Sequence, residues 1–219
     1  MRRARYICFE GTEGVGKTTQ VQKLVEYLRD KGYSVLHTKE PGTPLAPLTM
    51  ALRGIMLDSK YDDELTTPAR ELISQAIRSI HMEKVVSPAL KEYDYVVQDR
   101  GVLSGIAYGS TCGNDVEWLL SLMRQVTPAE DLYQNGKIIY DDVVYLKGNV
   151  ANGLKKALQS KQEFEAGDSI EKRGDSFMEQ VSASMQKHLG AFNASVVTVD
   201  GRTIEEVHSD IVAALGLEK

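Results

Sequence analysis

Apolar residues follow two alternating rhythms along the chain. Short runs rich in β-branched and aromatic side chains predict strands at Arg5–Phe9, Ser34–Thr38, Tyr95–Asp99, Asp142–Leu146 and Ser195–Val199. In four of them (YICF, YVVQ, VVYL and SVVTV) polar alternation is nearly absent, the pattern of strands covered by helices on both faces.

Between the runs the period changes to that of helices. Val21, Leu24, Val25 and Leu28 repeat at i, i+3, i+4 and i+7, and Gly32 is placed to stop that helix. The stretch Pro68–Leu90 carries Leu72, Ile73, Ala76, Ile77 and Ile80 on one side, predicting that this side is buried. His81 lies at its edge and reads as a surface or core-edge side chain. Trp118 and Leu119–Leu122 form a further apolar stripe that predicts core. Thr203, with Glu206 three residues later, has the capping-box spacing that opens a helix over Thr203–Leu215. Alternating β and α runs predict a parallel sheet with right-handed crossovers.

Composition narrows the function classes. Lys+Arg total 26 against Asp+Glu 31, so the formal charge is −5, which argues against a general nucleic-acid binder. No run approaches the roughly 18 apolar residues of a membrane span. The apolar run after MRRAR ends at Glu10, too short for a secretory signal, so a cytoplasmic location is expected. Cys8 and Cys112 are too few for a disulfide framework, and Cys8 reads as a buried thiol.

The strongest chemical signal is Gly11-Thr-Glu-Gly-Val-Gly16-Lys17-Thr18, which satisfies G-x-x-x-x-G-K-[ST] between a predicted strand and a predicted amphipathic helix. Glycines let backbone N–H groups turn toward phosphate oxygens, and the helix N-terminus adds positive potential. Lys17 supplies a cation to the β- and γ-phosphates and Thr18 a hydroxyl to Mg²⁺. Gly14, Val15, Gly16 and Thr19 complete the candidate ATP loop. No N-K-x-D guanine-reading motif accompanies it. Asp99 and Arg100 end the apolar strand YVVQDR, where ligands of open α/β sheets gather. Asp99 can hold Mg²⁺ through water, and Arg100 can fork onto a phosphate.

With those residues in place the chain resembles the thymidylate kinases nearly end to end. KEPGTPLAP (Lys39–Pro47) is similar to the family's R-E-P-G-G-T segment. ELISQAIRSIHMEKVVSPAL is similar to its long helix, and DRGVLSGIAYG (Asp99–Gly109) to its D-R-Y-x-x-S-x-x-A-Y-Q. DSIE (Asp168–Glu171) resembles its lid motif, and VTVDGR the turn near the adenine, which would put Arg202 at ATP. The resemblance implies a P-loop NTPase fold: one domain over residues 1–219, a five-stranded parallel sheet with helices on both faces, and a short lid at about 160–175. It also implies transfer of the γ-phosphoryl of ATP to dTMP, with Mg²⁺, in a homodimer.

The resemblance further implies roles. Lys17, Arg100 and Asp99 would serve catalysis. Glu13 matches a P-loop carboxylate near the acceptor sugar, Arg100 the Arg on the acceptor phosphate, Arg78 the Arg that reaches the pyrimidine, and Tyr108 the Tyr that excludes a ribose. Glu40 and Arg53 would lie near the acceptor phosphate.

The chain also departs from that pattern. Ser74 stands where the family stacks a Phe on the base, and Gly105 where a polar side chain contacts the base edge. Gly101 and Gly109 replace bulkier residues, Ser169 replaces the lid Arg, Lys147 an acidic residue, and a single Gly42 a Gly pair. These departures predict an enlarged base pocket that admits dUMP or bulkier 5-substituted dUMPs beside dTMP. Two other classes fit the same motifs: a deoxynucleoside kinase, which needs a base for a neutral hydroxyl, and a non-catalytic nucleotide-binding regulator. The charged segment Ser160–Asp175 predicts a flap that closes on substrates.

Overall fold

The computed structural model describes residues 3–127, 133–134, 137–138, 140–153, 155 and 169–218. Five strands, β1 (Arg5–Glu10), β2 (Val35–Lys39), β3 (Tyr95–Asp99), β6 (Asp142–Lys147) and β7 (Ala194–Thr198), form one parallel sheet in the order β2-β3-β1-β6-β7. Two short strands, β4 (Tyr133–Gln134) and β5 (Lys137–Ile138), pair separately. The expected parallel sheet is therefore present, each strand within a residue of its expected bounds.

The helices among the described residues are α1 (Lys17–Asp30), α2 (Pro47–Leu57), α3 (Thr67–His81), α4 (Ser87–Glu92), α5 (Val102–Thr111), α6 (Val116–Val126), α7 (Gly174–His188) and α8 (Ile204–Ala214). Period-2 alternation in β1 divides the core. Ile7 and Phe9 join Val21, Leu24 and Leu28 of α1 and Val207 and Ile211 of α8 on one face. On the other face Tyr6 packs with Met82, Val86, Ala89 and Leu90. Leu103 and Ala107 of α5 meet Tyr145 and the α7 residues Phe177, Met178 and Val181. α8 opens with the expected capping box, Thr203 and Glu206 each accepting from the other's backbone.

Four expectations need correction. Pro68–Leu90 is not one α-helix, because a π turn at Met82–Val86 separates α3 from α4. Its apolar side is only partly buried: Leu72 is 52% exposed and Ala76 is exposed, while Glu71, Gln75, Arg78 and His81 are buried. The covered face of α3 borders a cavity and mixes these polar groups with the fully buried Ile77, so the apolar pattern located that face only in part. β7 lies at the sheet edge, and within it only Val197 is buried, so SVVTV is not covered on both faces. The α6 stripe also packs unevenly: Leu119 and Met123 are fully buried and Trp118 only partly.

Candidate active site

Parallel register aligns the carboxyl ends of β1 and β3, pairing Phe9 with Asp99. The phosphate loop and Asp99-Arg100 therefore leave the sheet side by side. Gly11 takes φ +144°, and an added Cβ would lie 2.6 Å from the Leu146 carbonyl oxygen, so a side chain there would drive the loop off the sheet. Gly16 sits in the left-handed region at the N-cap of α1 and turns the loop into the helix. Lys17 is buried and donates to the Thr12 carbonyl at 2.6 Å. Burial, then the charge of Arg100, lowers its pKa to about 8.

Thr18 Oγ1 donates to Asp99 Oδ2 at 2.7 Å. Asp99 Oδ1 is buried and has no hydrogen-bond partner among the described residues. A hydroxyl and a carboxylate oxygen beside the phosphate loop suit a hard cation such as Mg²⁺. The residues fit the metal assigned to them.

Arg100 follows directly at φ +64°, a conformation that costs a non-glycine residue about 1–3 kcal/mol. It is held there: its N–H bonds the Phe9 carbonyl, its carbonyl accepts from Gln98 Nε2, and its Nη1 donates to the Gly11 carbonyl and Ser104 Oγ. Nη2 pairs with Glu13 Oε1 at 2.9 Å, and Tyr108 Oη donates to that oxygen at 3.4 Å. The Arg100 guanidinium also lies 5.4 Å from the Tyr108 ring centroid. Glu13 is thus held between Arg100 and Tyr108.

A cavity of about 730 Å³ is lined by Glu13, Thr18, Asp99 and Arg100 and also by Glu40, Arg53, Ser74, Arg78, Gly105 and Tyr108. Arg53 reaches it from α2 while donating to the Pro41 carbonyl. Arg78 donates through Nε and Nη2 to Glu40 Oε2 at 3.0 and 2.7 Å. Burial opposes the Glu40 charge, but Arg78 and His81 outweigh it and hold the carboxyl at about 2.

Sequence reasoning missed two buried groups behind this wall. Glu10 shares a β1 face with Tyr6 and Cys8, and its carboxylate accepts from Gly101 N at 3.0 Å, Ser104 N at 3.1 Å and Ser104 Oγ. It anchors the start of α5, with its own pKa raised by burial and partly offset by Ser104. The signal was present: a carboxylate ending an apolar strand on its inward face. His81, expected near the surface, is fully buried against Thr38 and Glu40.

The family model described as thymidylate kinase matches residues 9–211. The chain belongs to the thymidylate kinase family. It is 30% identical over 211 residues to a thymidylate kinase of Nitrosospira multiformis, covering 95% of each chain. It is 31% identical to one of Fervidobacterium nodosum, covering 94% of this chain and 96% of the relative. A solved thymidylate kinase from Ehrlichia chaffeensis shares the fold at TM-score 0.72 and 23% identity, covering 97% of this chain and 99% of that one.

Within this thymidylate kinase family member, the expected enlargement of the base pocket is not uniform. A Cβ on Gly105 would lie 2.8 Å from Met123 Cε and 3.0 Å from Arg78 Nη2, so Arg78 and Met123 already use that space. A Cβ on Gly109 would meet Leu119 and the Glu71 carboxylate at about 3.0 Å. Ser74 is half-buried on the cavity wall. Arg202 does not line this cavity; its guanidinium bonds Asp210, the Thr198 carbonyl and the Glu206 carbonyl, closing the turn before α8.

The expected lid divides. Residues 160–168, including Asp168, lie outside the described residues. The remainder is docked across the cavity: Ser169 N donates to the Leu57 carbonyl, Ser169 Oγ to Asp62 at 2.6 Å and Lys172 Nζ to Ser59 Oγ at 2.8 Å. Arg173 lies over the Phe177 ring.

Proposed function

We propose that the chain transfers the γ-phosphoryl of ATP to the phosphate of dTMP. One observation carries this reading: phosphate-loop, metal-type and base-facing groups line a single cavity large enough for a nucleotide acceptor. The acceptor is an ionised phosphate, so its oxygen needs no strong general base. It attacks the γ-phosphorus, a new P–O bond forms, and the bond to the β-phosphate oxygen breaks to release ADP. The main obstacle is bringing two anions into line. Lys17 and Arg100 neutralise them, Arg100 being fixed in advance by Phe9, Gln98, Gly11, Ser104 and Glu13. Thr18 and Asp99 would hold Mg²⁺, which would supply further charge neutralisation when bound.

Arg78 presents Nη1, buried and without a hydrogen-bond partner among the described residues, as a donor for a pyrimidine carbonyl. Tyr108, fixed against Glu13 and Arg100, supports exclusion of a ribose hydroxyl. Glu13 itself is bound to Arg100, which argues against the general base that a neutral nucleoside would require. A coupled assay with ATP and either dTMP or thymidine tests the reading. Turnover with dTMP alone is expected; turnover with thymidine alone, or ATP binding without turnover, would refute it.

We also propose that two copies associate through α2 and α3. Leu48, Ile55 and Leu72 there are 61%, 43% and 52% exposed, which supports a covered apolar face. Sedimentation should give a dimer that Leu48→Glu with Leu72→Glu dissociates; a monomeric parent chain would rule this out.

A further inference from the structure

Arg78 has three nitrogens and spends two of them on one carboxylate oxygen. Nε and Nη2 both reach Glu40 Oε2, Nη2 also meets the Gly101 carbonyl at 3.3 Å, and Nη1 remains without a partner among the described residues. An isolated guanidinium–carboxylate pair favours a two-oxygen fork. Here the second oxygen has another partner. Glu40 Oε1 lies 3.1 Å from His81 Nδ1, and His81 Nε2 lies 2.7 Å from Thr38 Oγ1.

His81 is fully buried, and it is not among the residues that line the cavity, so its influence passes through Glu40. It follows Arg78 by three residues on α3, which puts both on one helix face. Thr38 lies on β2 and Glu40 just beyond that strand, so the ring braces α3 against the sheet end. With both oxygens engaged, Glu40 is a fixed partner for the Nε and Nη2 edge of Arg78.

We propose that His81 is a positioning residue for acceptor recognition: by holding Glu40 Oε1 it fixes the carboxylate that orients Arg78 toward the acceptor's base. The inference rests on the dTMP reading of the cavity. It does not make His81 a catalytic residue.

Two amide substitutions separate the ring nitrogens. The Asn amide overlays Nδ1 and can still donate to Glu40, whereas the Gln amide overlays Nε2 and reaches only Thr38. Calorimetric titration with dTMP and with ATP, alongside thermal unfolding, reads the outcome. His81→Asn should keep dTMP affinity within about twofold, and His81→Gln should weaken it about tenfold, the scale of a displaced buried hydrogen-bond partner. ATP affinity should stay within about twofold in both. In an Arg78→Ala background His81→Gln should have no further effect on dTMP, since the two act as a unit. Equal dTMP affinity in the Asn and Gln variants, parallel loss of ATP affinity, or additive effects with Arg78→Ala would overturn the proposal. A parent protein that binds ATP but not dTMP would overturn the acceptor reading along with it.

Discussion

Thr18 Oγ1 and Asp99 Oδ2 are 2.7 Å apart although 81 residues separate them. The contact joins the first turn of α1 to the end of β3 and leaves Asp99 Oδ1 buried without a partner among the described residues. Asp99→Asn would keep the shape and lose the charge. The Mg²⁺ concentration giving half-maximal activity should rise about 10–100-fold, the usual scale for a supporting metal carboxylate. An unchanged Mg²⁺ titration would remove Asp99 from the metal site.

Lys17→Met should lower kcat by about 10²–10³, as expected for removing one preorganised charge from the transition state. Near-normal turnover in this variant would end the assignment.

Lys17 also predicts a pH effect. Its pKa is about 8 in the folded chain, whereas a Lys in the unfolded chain titrates near about 10.4. Between those values the unfolded state binds more protons. This group's contribution to stability is therefore least favourable below about pH 8 and rises with pH through that window. ATP phosphates favour the charged amine, so binding near about pH 8.5 should take up protons. Calorimetry in two buffers of different ionisation enthalpy should detect the uptake, and Lys17→Met should abolish it.

Gly105→Ala places a Cβ 2.8 Å from Met123 Cε and about 3.0 Å from Arg78 Nη2. Both are side-chain ends that can give way, so the stability cost should be near the low end of about 1–3 kcal/mol. The displaced guanidinium should raise the KM for dTMP more than that for ATP. Equal effects on both substrates would show that Arg78 does not serve the acceptor.

Ser74 lies half-buried on the cavity wall, a small side chain where the sequence resemblance implies an aromatic ring. The parent enzyme should therefore accept dUMP and 5-substituted dUMPs with kcat/KM near that for dTMP. Ser74→Phe should shift preference toward dTMP by about 1–3 kcal/mol, the range for one apolar contact in a formed pocket. Strong dTMP preference in the parent protein would mean that other residues rebuild the thymine site.

Much of this was legible along the chain. The strand runs, the phosphate loop, the capping box at Thr203 and the placement of Asp99-Arg100 at a strand end all depend on local spacing, because backbone geometry repeats within a few residues. Burial on α3 was legible only in part: Ile77 is buried as the pattern marked it, and Leu72 and Ala76 are not. The covered face also carries Glu71 and Arg78, which line the cavity, and Gln75 and His81, which are buried behind it.

By itself, the sequence determined the α/β class, the phosphate chemistry and the identities of Lys17, Thr18, Asp99 and Arg100. Only the tertiary structure decided what each polar group is free to do. Glu40 is taken up by Arg78 and His81, Arg202 by Asp210, and the space beside Gly105 by Arg78 itself. A residue's type sets which bonds it can form. Which of them remain open to a substrate depends on partners brought together from distant parts of the chain, and no local pattern records those meetings.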